Sequence, residues 1–121
     1  MTWYSAHAIL YVKLKSGQQD TFPVWETIYL IAGDTPTEAL EEARKCGLAA
    51  SGDSDGSFTW GDQPAEWVFA GIRKLITVSH RGIIEQPMSG DEVSYSEFEL
   101  PTLDAVMNLA NGKDVILEYL E

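Results

Sequence analysis

The residue best placed to do chemistry in this sequence is Glu26, because it stands among apolar neighbours. Along a stretch with strand-like alternation, Glu26 shares one face with Phe22, Val24, Ile28 and Leu30. A carboxylate that points into such surroundings must be paired, hydrogen-bonded or neutral, because removing its charge from water costs several kcal/mol. Glu26 is therefore the first candidate for a functional side chain.

Arg73 and His7 are the expected partners of Glu26, because both lie on predicted strands near the centre of the sheet. A Glu26–Arg73 pair could hold a polar ligand, and a Glu26 whose pKa is raised could act as a base. The same pair could also be a structural ion pair, or Glu26 could lie on an edge facing water. We favour the structural interpretations, since ion-pair networks perturb pKa values without serving catalysis.

The loop after the first predicted helix has part of the spacing of a calcium-binding loop. Ser51, Asp53, Asp55 and Asp62 occupy its first, third, fifth and twelfth positions, and Gly56 occupies the sixth, where such a loop turns sharply. The serine, the short aspartate at the last position and the strand pattern that follows argue against calcium. A set of Asx turns joining a helix to a strand explains the same residues. We therefore expect no metal ion or other cofactor.

Motifs of known catalytic centres are missing from the sequence. His7 and His80 are the only histidines, and neither has metal-ligand spacing to the other or to Cys46. The chain contains no Gly-x-Ser-x-Gly, Walker or dinucleotide-binding motif. The sequence gives enzyme activity no positive support, and we expect a non-enzymatic protein.

Large aromatic rings are the remaining candidates for function. A buried ring removes roughly 150–250 Å² from water, so most of the tryptophans and tyrosines are expected in the core. Both faces of the first two predicted strands carry rings, whereas the predicted helices offer only narrow apolar stripes. A remaining aromatic patch predicts a protein interface, including a homodimer face. The candidate ligand- or partner-binding residues are therefore Trp25, Glu26, Trp60, Trp67 and Arg73.

The composition indicates one acidic domain. With 121 residues the chain can enclose a single core. Nineteen acidic residues against eight basic ones give a net charge of −11, which disfavours nucleic acid and anionic membranes as partners. No apolar run approaches the ~20 residues that span a bilayer, no secretory leader pattern occurs, and the single cysteine fits a reducing compartment. We expect a cytoplasmic protein whose partners are proteins, self-association included.

Alternating apolar residues predict five strands, at residues 3–15, 22–32, 66–79, 92–100 and 115–120. One helix is predicted after the capping residue Thr35, and a second over residues 102–110 that Gly112 helps to end. Both faces of the second strand are apolar, which predicts cover on both sides. Gly71 indicates a bulge or a close approach of another backbone. The order ββαββαβ predicts an α+β fold, with a mostly antiparallel sheet of about five strands and two helices packed on it.

Four segments carry a resemblance to a known family. They are residues 3–7, 22–26, 55–60 and 67–75, which read WYSAH, FPVWE, DGSFTW and WVFAGIRKL. In these segments the chain resembles a family of small bacterial proteins catalogued as a domain of unknown function. The resemblance spans nearly the whole chain and implies a compact bacterial cytoplasmic domain. That family brings no established substrate, cofactor or catalytic residue to this sequence.

These observations favour a non-enzymatic protein-interaction or regulatory module, such as an acidic toxin-neutralising protein. The rival hypothesis is a small-molecule or metal-binding protein with a sheet pocket around Trp25, Glu26, Trp67 and Arg73. A deep cavity that holds Glu26 and Arg73 would favour the ligand-binding hypothesis. A filled core with an exposed patch of rings would favour binding to a protein.

Overall fold

A computed structural model describes residues 1–78 and 86–121 of the chain. In chain order its elements are β1 (Thr2–Leu14), β2 (Val24–Gly33), α1 (Pro36–Ala50), β3 (Thr59–Trp60), β4 (Gln63–Thr77) and α2 (Leu103–Ala110). The four strands form one antiparallel sheet in the order β2-β1-β4-β3. The predicted α+β class is confirmed. Within the described ranges, no helix is long and apolar enough to cross a bilayer.

The number and order of the strands differ from the prediction. Residues 92–100 and 115–120 are not strands, and they share only one isolated bridge, between Phe98 and Tyr119. The short strand β3 lies in what was predicted as a loop, so the order is ββαββα rather than ββαββαβ. Residues 92–100 are rich in polar side chains and have no continuous apolar face to bury. This explains why alternation alone predicted a strand that does not form. The end of the strand predicted at 66–79 and His80 lie outside the described residues.

α1 begins where the sequence indicates and packs on one face of the sheet. The Thr35 hydroxyl accepts from the Glu38 N–H at 3.2 Å, while the Glu38 carboxylate accepts from the Asp34 N–H rather than from that of Thr35. Small residues on its inner side let the helix approach the strands closely, and the buried ones are Ala39, Ala43 and Gly47. Ala39 and Ala43 pack with Tyr4 and Ala6, which form the buried face of β1 together with Ala8, Leu10 and Val12. Gly47 lies against the Phe69 ring of β4. This helix face of the sheet is the main core.

Cover on the two faces of the sheet is unequal, and the prediction that β2 is covered on both sides is wrong. The exposed fraction is 55% for Val24, 51% for Ile28, 49% for Leu30 and 47% for Trp25. β2 is an edge strand, and Val24, Ile28 and Leu30 project to the face of the sheet opposite α1. α2, predicted to pack on the sheet, has no buried residue. The sheet therefore keeps an apolar edge in contact with water.

β4 contains the predicted bulge at Gly71. Its register against β1 shifts twice, between His7 and Ala8 and between Ile9 and Leu10. Gly71 lies between the two shifts with a φ of 155°, in a region that favours glycine. The extra residues on β4 turn neighbouring side chains toward one face of the sheet.

Candidate functional site

The five predicted site residues divide between opposite faces of the sheet. Trp25 and Trp67 lie opposite the core residues Leu10 and Val12 of β1, so they share the helix face. Glu26 lies opposite Ile9, on the other face, which we call the second face. Directly opposed residues of an antiparallel pair project to the same side, so the sheet itself separates the tryptophans from the Glu26–Arg73 pair. The single predicted pocket is thus two distinct clusters.

Trp25, Trp60 and Trp67 form one cluster beside the C-terminal end of α1. The Trp25 ring meets the Trp67 ring edge-on at a centroid distance of 5.1 Å and the Trp60 ring at 5.9 Å. Phe58 stacks on Trp67 at 5.7 Å. Gly52 and Trp67 exchange backbone hydrogen bonds of 2.9 and 2.8 Å, which fixes the loop that carries Phe58 and Trp60 against β4. Trp25 and Trp60 remain 47% and 39% exposed, so part of the cluster is surface.

A shallow groove adjoins this cluster. Its volume is about 150 Å³, and its lining consists of Leu10, Trp25, Thr27, Ala50 and Trp67. Binding pockets for small molecules usually measure roughly 300–1,000 Å³. The groove is too small for such a ligand, although it adds apolar surface next to Trp25.

On the second face, Glu26 forms the hydrogen bonds that the sequence predicted, with His7 and Arg73. One carboxylate oxygen, Oε1, accepts from Arg73 Nε at 3.0 Å and from Arg73 Nη2 at 2.7 Å. The same oxygen lies 2.6 Å from His7 Nδ1. The Glu26 and Arg73 side chains are each 21% exposed, and the His7 side chain is 2% exposed. The predicted pairing is confirmed, and it is an internal ion pair.

The bulge in β4 places two consecutive cations on this face. His7 lies opposite Lys74 and Ala8 lies opposite Ile72, which leaves Arg73 as the extra residue between them. Arg73 and Lys74 both reach Glu121, whose Oε1 accepts from Arg73 Nη1 at 3.2 Å and from Lys74 Nζ at 2.8 Å. Adjacent residues of a regular strand would point to opposite faces. The sequence signal for this arrangement was Gly71 followed closely by the pair Arg73 and Lys74.

The C-terminal segment crosses the second face and is attached to it through polar contacts. The Ser5 hydroxyl donates to the Val93 carbonyl, and Lys74 donates to the Tyr95 carbonyl. The Tyr119 ring lies 4.2 Å from the guanidinium carbon of Arg73, in cation–π geometry. Sequence reasoning missed these contacts, because no periodic pattern links residues so far apart in the chain.

Electrostatics keep the carboxylates of this network ionised. Burial opposes the charge of Glu26, but hydrogen bonds from Arg73 and His7 outweigh it and hold its pKa below the usual 4.5. The hydrogen bond from Lys74 contributes most to lowering the pKa of Glu121 to about 2, helped by the Glu97 N–H and Arg73. Its lowered pKa makes Glu26 a weak base, which is unsuited to act as a general base near neutral pH.

His7 joins Glu26 to a hydroxyl. An ionised Glu26 has no hydrogen to donate, so His7 Nδ1 donates to it, and His7 Nε2 is hydrogen-bonded to the Ser94 hydroxyl. The order carboxylate, imidazole, hydroxyl is also that of activated nucleophiles. Depressions on this face are lined by other residues, namely Ile9, Tyr11, Phe22 and Val24 in one case and Ile9 with residues 70–73 in another. In this structure the bonds of His7 fasten Ser94 to the sheet.

The loop at residues 51–62 forms turns instead of a cation cage. The Asp53 carboxylate accepts from the Gly56 N–H at 3.0 Å, as an Asx turn does, and its other oxygen bonds Lys15 Nζ at 2.5 Å. Ser54, Asp55 and Asp62 adopt positive φ values, which suits turns. Across residues 1–78 and 86–121, no three His, Cys, Asp or Glu side chains are grouped as metal ligands.

The most exposed apolar feature of the sheet is the edge of β2. We call it the β2 edge surface, and it consists of Phe22, Val24, Trp25, Ile28 and Leu30. β2 is ten residues long and contains neither proline nor lysine. Its one charged side chain, Glu26, is bonded to Arg73 and His7. Natural edge strands are usually blunted by charges, prolines or bulges, and β2 has none of these on its outer side.

Every second residue of β2 directs its backbone N–H and C=O away from β1. The Val12 N–H donates to the Pro23 carbonyl at 3.0 Å, which makes Val12 and Pro23 a hydrogen-bonded pair. Bonded and non-bonded pairs alternate along an antiparallel ladder, and the register of β1 with β2 has no shift. The residues with outward backbone groups are therefore Val24, Glu26, Ile28 and Leu30. No described strand lies on that side of β2.

No protein-family model matches this chain, and neither a search of curated proteins nor a search of solved structures found a match. The resemblance to a family of small bacterial proteins therefore stays a prediction.

Proposed function

We propose that this protein is a non-enzymatic protein-interaction module that binds a polypeptide partner along the β2 edge surface. The observation that carries the proposal is the combination, on one strand, of half-exposed apolar side chains and outward backbone groups. Such an edge can accept a further strand, whose backbone supplies the hydrogen bonds while its side chains meet the exposed ones. Trp25 and Trp60 supply aromatic surface at one end of it.

The ligand-binding hypothesis has less support. Glu26 Oε1 already accepts three hydrogen bonds, and Arg73 bonds both Glu26 and Glu121 beneath the Tyr119 ring. A polar ligand would have to displace these partners before it could bind. The depression that reaches Arg73 has a volume of about 260 Å³, below the usual size of a pocket for a small molecule.

Affinity capture from the source cells tests the proposal with matched variants. Ile28 and Leu48 are 51% and 62% exposed, and they lie on the β2 edge surface and on α1 respectively. Wild-type protein and Leu48→Lys are expected to enrich the same partner, whereas Ile28→Lys loses it because a charge is then placed in the interface. Equal enrichment by both lysine variants would contradict binding at this edge.

A second candidate function, acyl transfer by a serine nucleophile, is favoured by the Glu26–His7–Ser94 chain alone. A fluorophosphonate probe tests it: the Ser94 oxygen would bond to phosphorus, fluoride would leave, and the hydroxyl proton would pass to His7 Nε2. The interaction proposal expects no labelling of the folded protein above the level of Ser94→Ala. Stoichiometric labelling that Ser94→Ala abolishes would establish the enzyme instead.

The setting of the module follows from composition. We expect it to act in the cytoplasm and to avoid nucleic acid, because the chain carries a charge of −11 and a single cysteine.

A further inference from the structure

We infer that the partner presents an extended basic segment, which adds as a strand to the open edge of β2. This inference rests on the proposed function and names the chemistry of its partner. Two properties of the edge carry it: its backbone geometry and the charge of the surrounding chain.

Backbone geometry specifies a strand as the occupant. The outward N–H and C=O groups recur at every second residue from Val24 to Leu30. Only another extended chain offers donors and acceptors at the same interval of about 7 Å. The side chains of those residues lie on the second face, so an added strand would bury Val24, Ile28 and Leu30 with its own alternate residues.

The charge around β2 specifies a basic segment. Residues 16–43 contain no lysine or arginine and carry six carboxylates. Glu26 is neutralised by Arg73, so the remaining acidic charges flank the strand instead of interrupting it. These are Asp20, Asp34, Glu38, Glu41 and Glu42, of which Glu42 pairs with Lys45 and Asp34 with the N-terminal amine. Lysine or arginine residues beside an apolar strand would meet this field, which accelerates association and adds to affinity.

The charge of the chain disfavours a second copy of itself as the occupant. Two copies with a charge of −11 each would repel one another. A basic partner replaces that repulsion with attraction.

Selection of random peptides displayed on phage tests the inference. The targets are wild-type protein, Ile28→Pro, Ile28→Lys and the control Leu48→Lys. The Ile28 N–H points outward, so proline removes a donor for the partner without breaking a bond to β1. Melting temperatures confirm that each target is folded, and Ile28→Lys replaces Ile28→Pro if the proline variant is not.

The expected peptides alternate apolar residues with period two and carry an excess of lysine and arginine. They bind wild-type protein and Leu48→Lys alike, and their affinity falls as salt is added. Binding to Ile28→Pro or Ile28→Lys weakens by about tenfold or more, because the added strand loses a backbone bond or meets a charge.

Each other result overturns a specific part of the reasoning. Neutral or acidic peptides that still require Ile28 would refute the basic partner while leaving binding at β2 intact. Peptides that bind Ile28→Pro and Ile28→Lys as tightly as wild type, or no enriched peptide at all, would refute the edge as a binding site. Sedimentation that shows a wild-type dimer, lost in Ile28→Pro and strengthened by salt, would make a second copy the occupant.

Discussion

Replacing Glu26 by glutamine tests the second-face network most sharply. The glutamine keeps the shape and one acceptor oxygen but removes the charge. Three N–H bonds to Oε1, two from Arg73 and one from His7, then lose the negative charge of their acceptor, while Arg73 keeps its positive charge. Charge on a partner adds about 1 kcal/mol to a hydrogen bond, so each of the three bonds is weakened by up to about 1 kcal/mol.

The expected loss of unfolding free energy is about 2 kcal/mol. This is less than the sum of the losses at the three bonds, because Arg73 keeps its bond to Glu121. For a chain of this size the melting temperature should fall by about 8 °C. Urea unfolding followed by tryptophan fluorescence measures the free energy directly. Glu42→Gln is the matched control, because its ion pair with Lys45 is exposed, and it should change stability by less than about 0.5 kcal/mol.

A double-mutant cycle then isolates the Glu26–Arg73 pair. Glu26→Gln, Arg73→Gln and the double variant should give a coupling energy of about 1–3 kcal/mol, as for partners in one hydrogen-bonded network. Additive losses, with coupling below about 0.5 kcal/mol, would refute the claim that this pair is a structural ion pair. The reasoning would also fail if Glu26→Gln were as stable as wild type.

Three further predictions concern packing, capping and pH. A Cβ at Gly47 would overlap the Phe69 ring, so Gly47→Ala should lower the free energy of unfolding in urea by up to about 2 kcal/mol, although alanine has the better helix propensity. Adding Phe69→Leu to the Gly47→Ala chain should restore the stability. If Gly47→Ala loses no stability, the close contact of α1 with β4 is contradicted. Thr35→Ala should cost about 1 kcal/mol in the same assay and Thr35→Ser almost nothing, because the hydroxyl caps α1; equal losses would contradict the cap. Bonding to Lys74 lowers the pKa of Glu121 from 4.5 to about 2. The ionised carboxylate therefore stabilises the folded protein above pH 4.5, and this stabilisation is lost as the pH falls toward 2. Lowering the pH from 4.5 to 2 should thus lower the melting temperature, and should lower it less in Glu121→Gln than in wild type.

The sequence predicted the pairing of Glu26 with His7 and Arg73 because desolvation of one carboxylate limits its possible partners. Strand alternation located Glu26 among apolar residues, and only a few basic side chains could meet it. The same alternation could not reveal Lys74 as a second cation on that face. That placement depends on a bulge whose register only the structure gives.

The cover of β2 shows where sequence patterns lose information. Two apolar faces predict burial, yet β2 is about half exposed because its position at the edge depends on strand order. Strand order is a long-range property that periodicity does not contain. Trp25 and Trp67 were likewise predicted in one pocket with Glu26, but consecutive strand residues alternate, so Trp25 and Glu26 project to opposite faces and Trp67 lies on the face of Trp25.

The strands predicted at residues 92–100 and 115–120 failed for a related reason. Period two describes an extended chain but not its hydrogen-bond partner. In this molecule residues 92–100 contact the sheet through the Ser94 side chain and the Val93 and Tyr95 carbonyls, and Phe98 forms its one bridge with Tyr119. Helix ends were predicted better, because the Thr35 and Thr102 caps use bonds within three residues.

Amide hydrogen exchange along β2, measured by NMR, tests the open edge most directly. In the free protein, the amides of Val24, Ile28 and Leu30 should exchange rapidly, while those of Thr27 and Tyr29, which bond to β1, should be protected. Addition of a selected basic peptide should protect the outward amides and remove the alternation. Uniform protection in the free protein, or outward amides that stay unprotected when the peptide is bound, would contradict strand addition at β2.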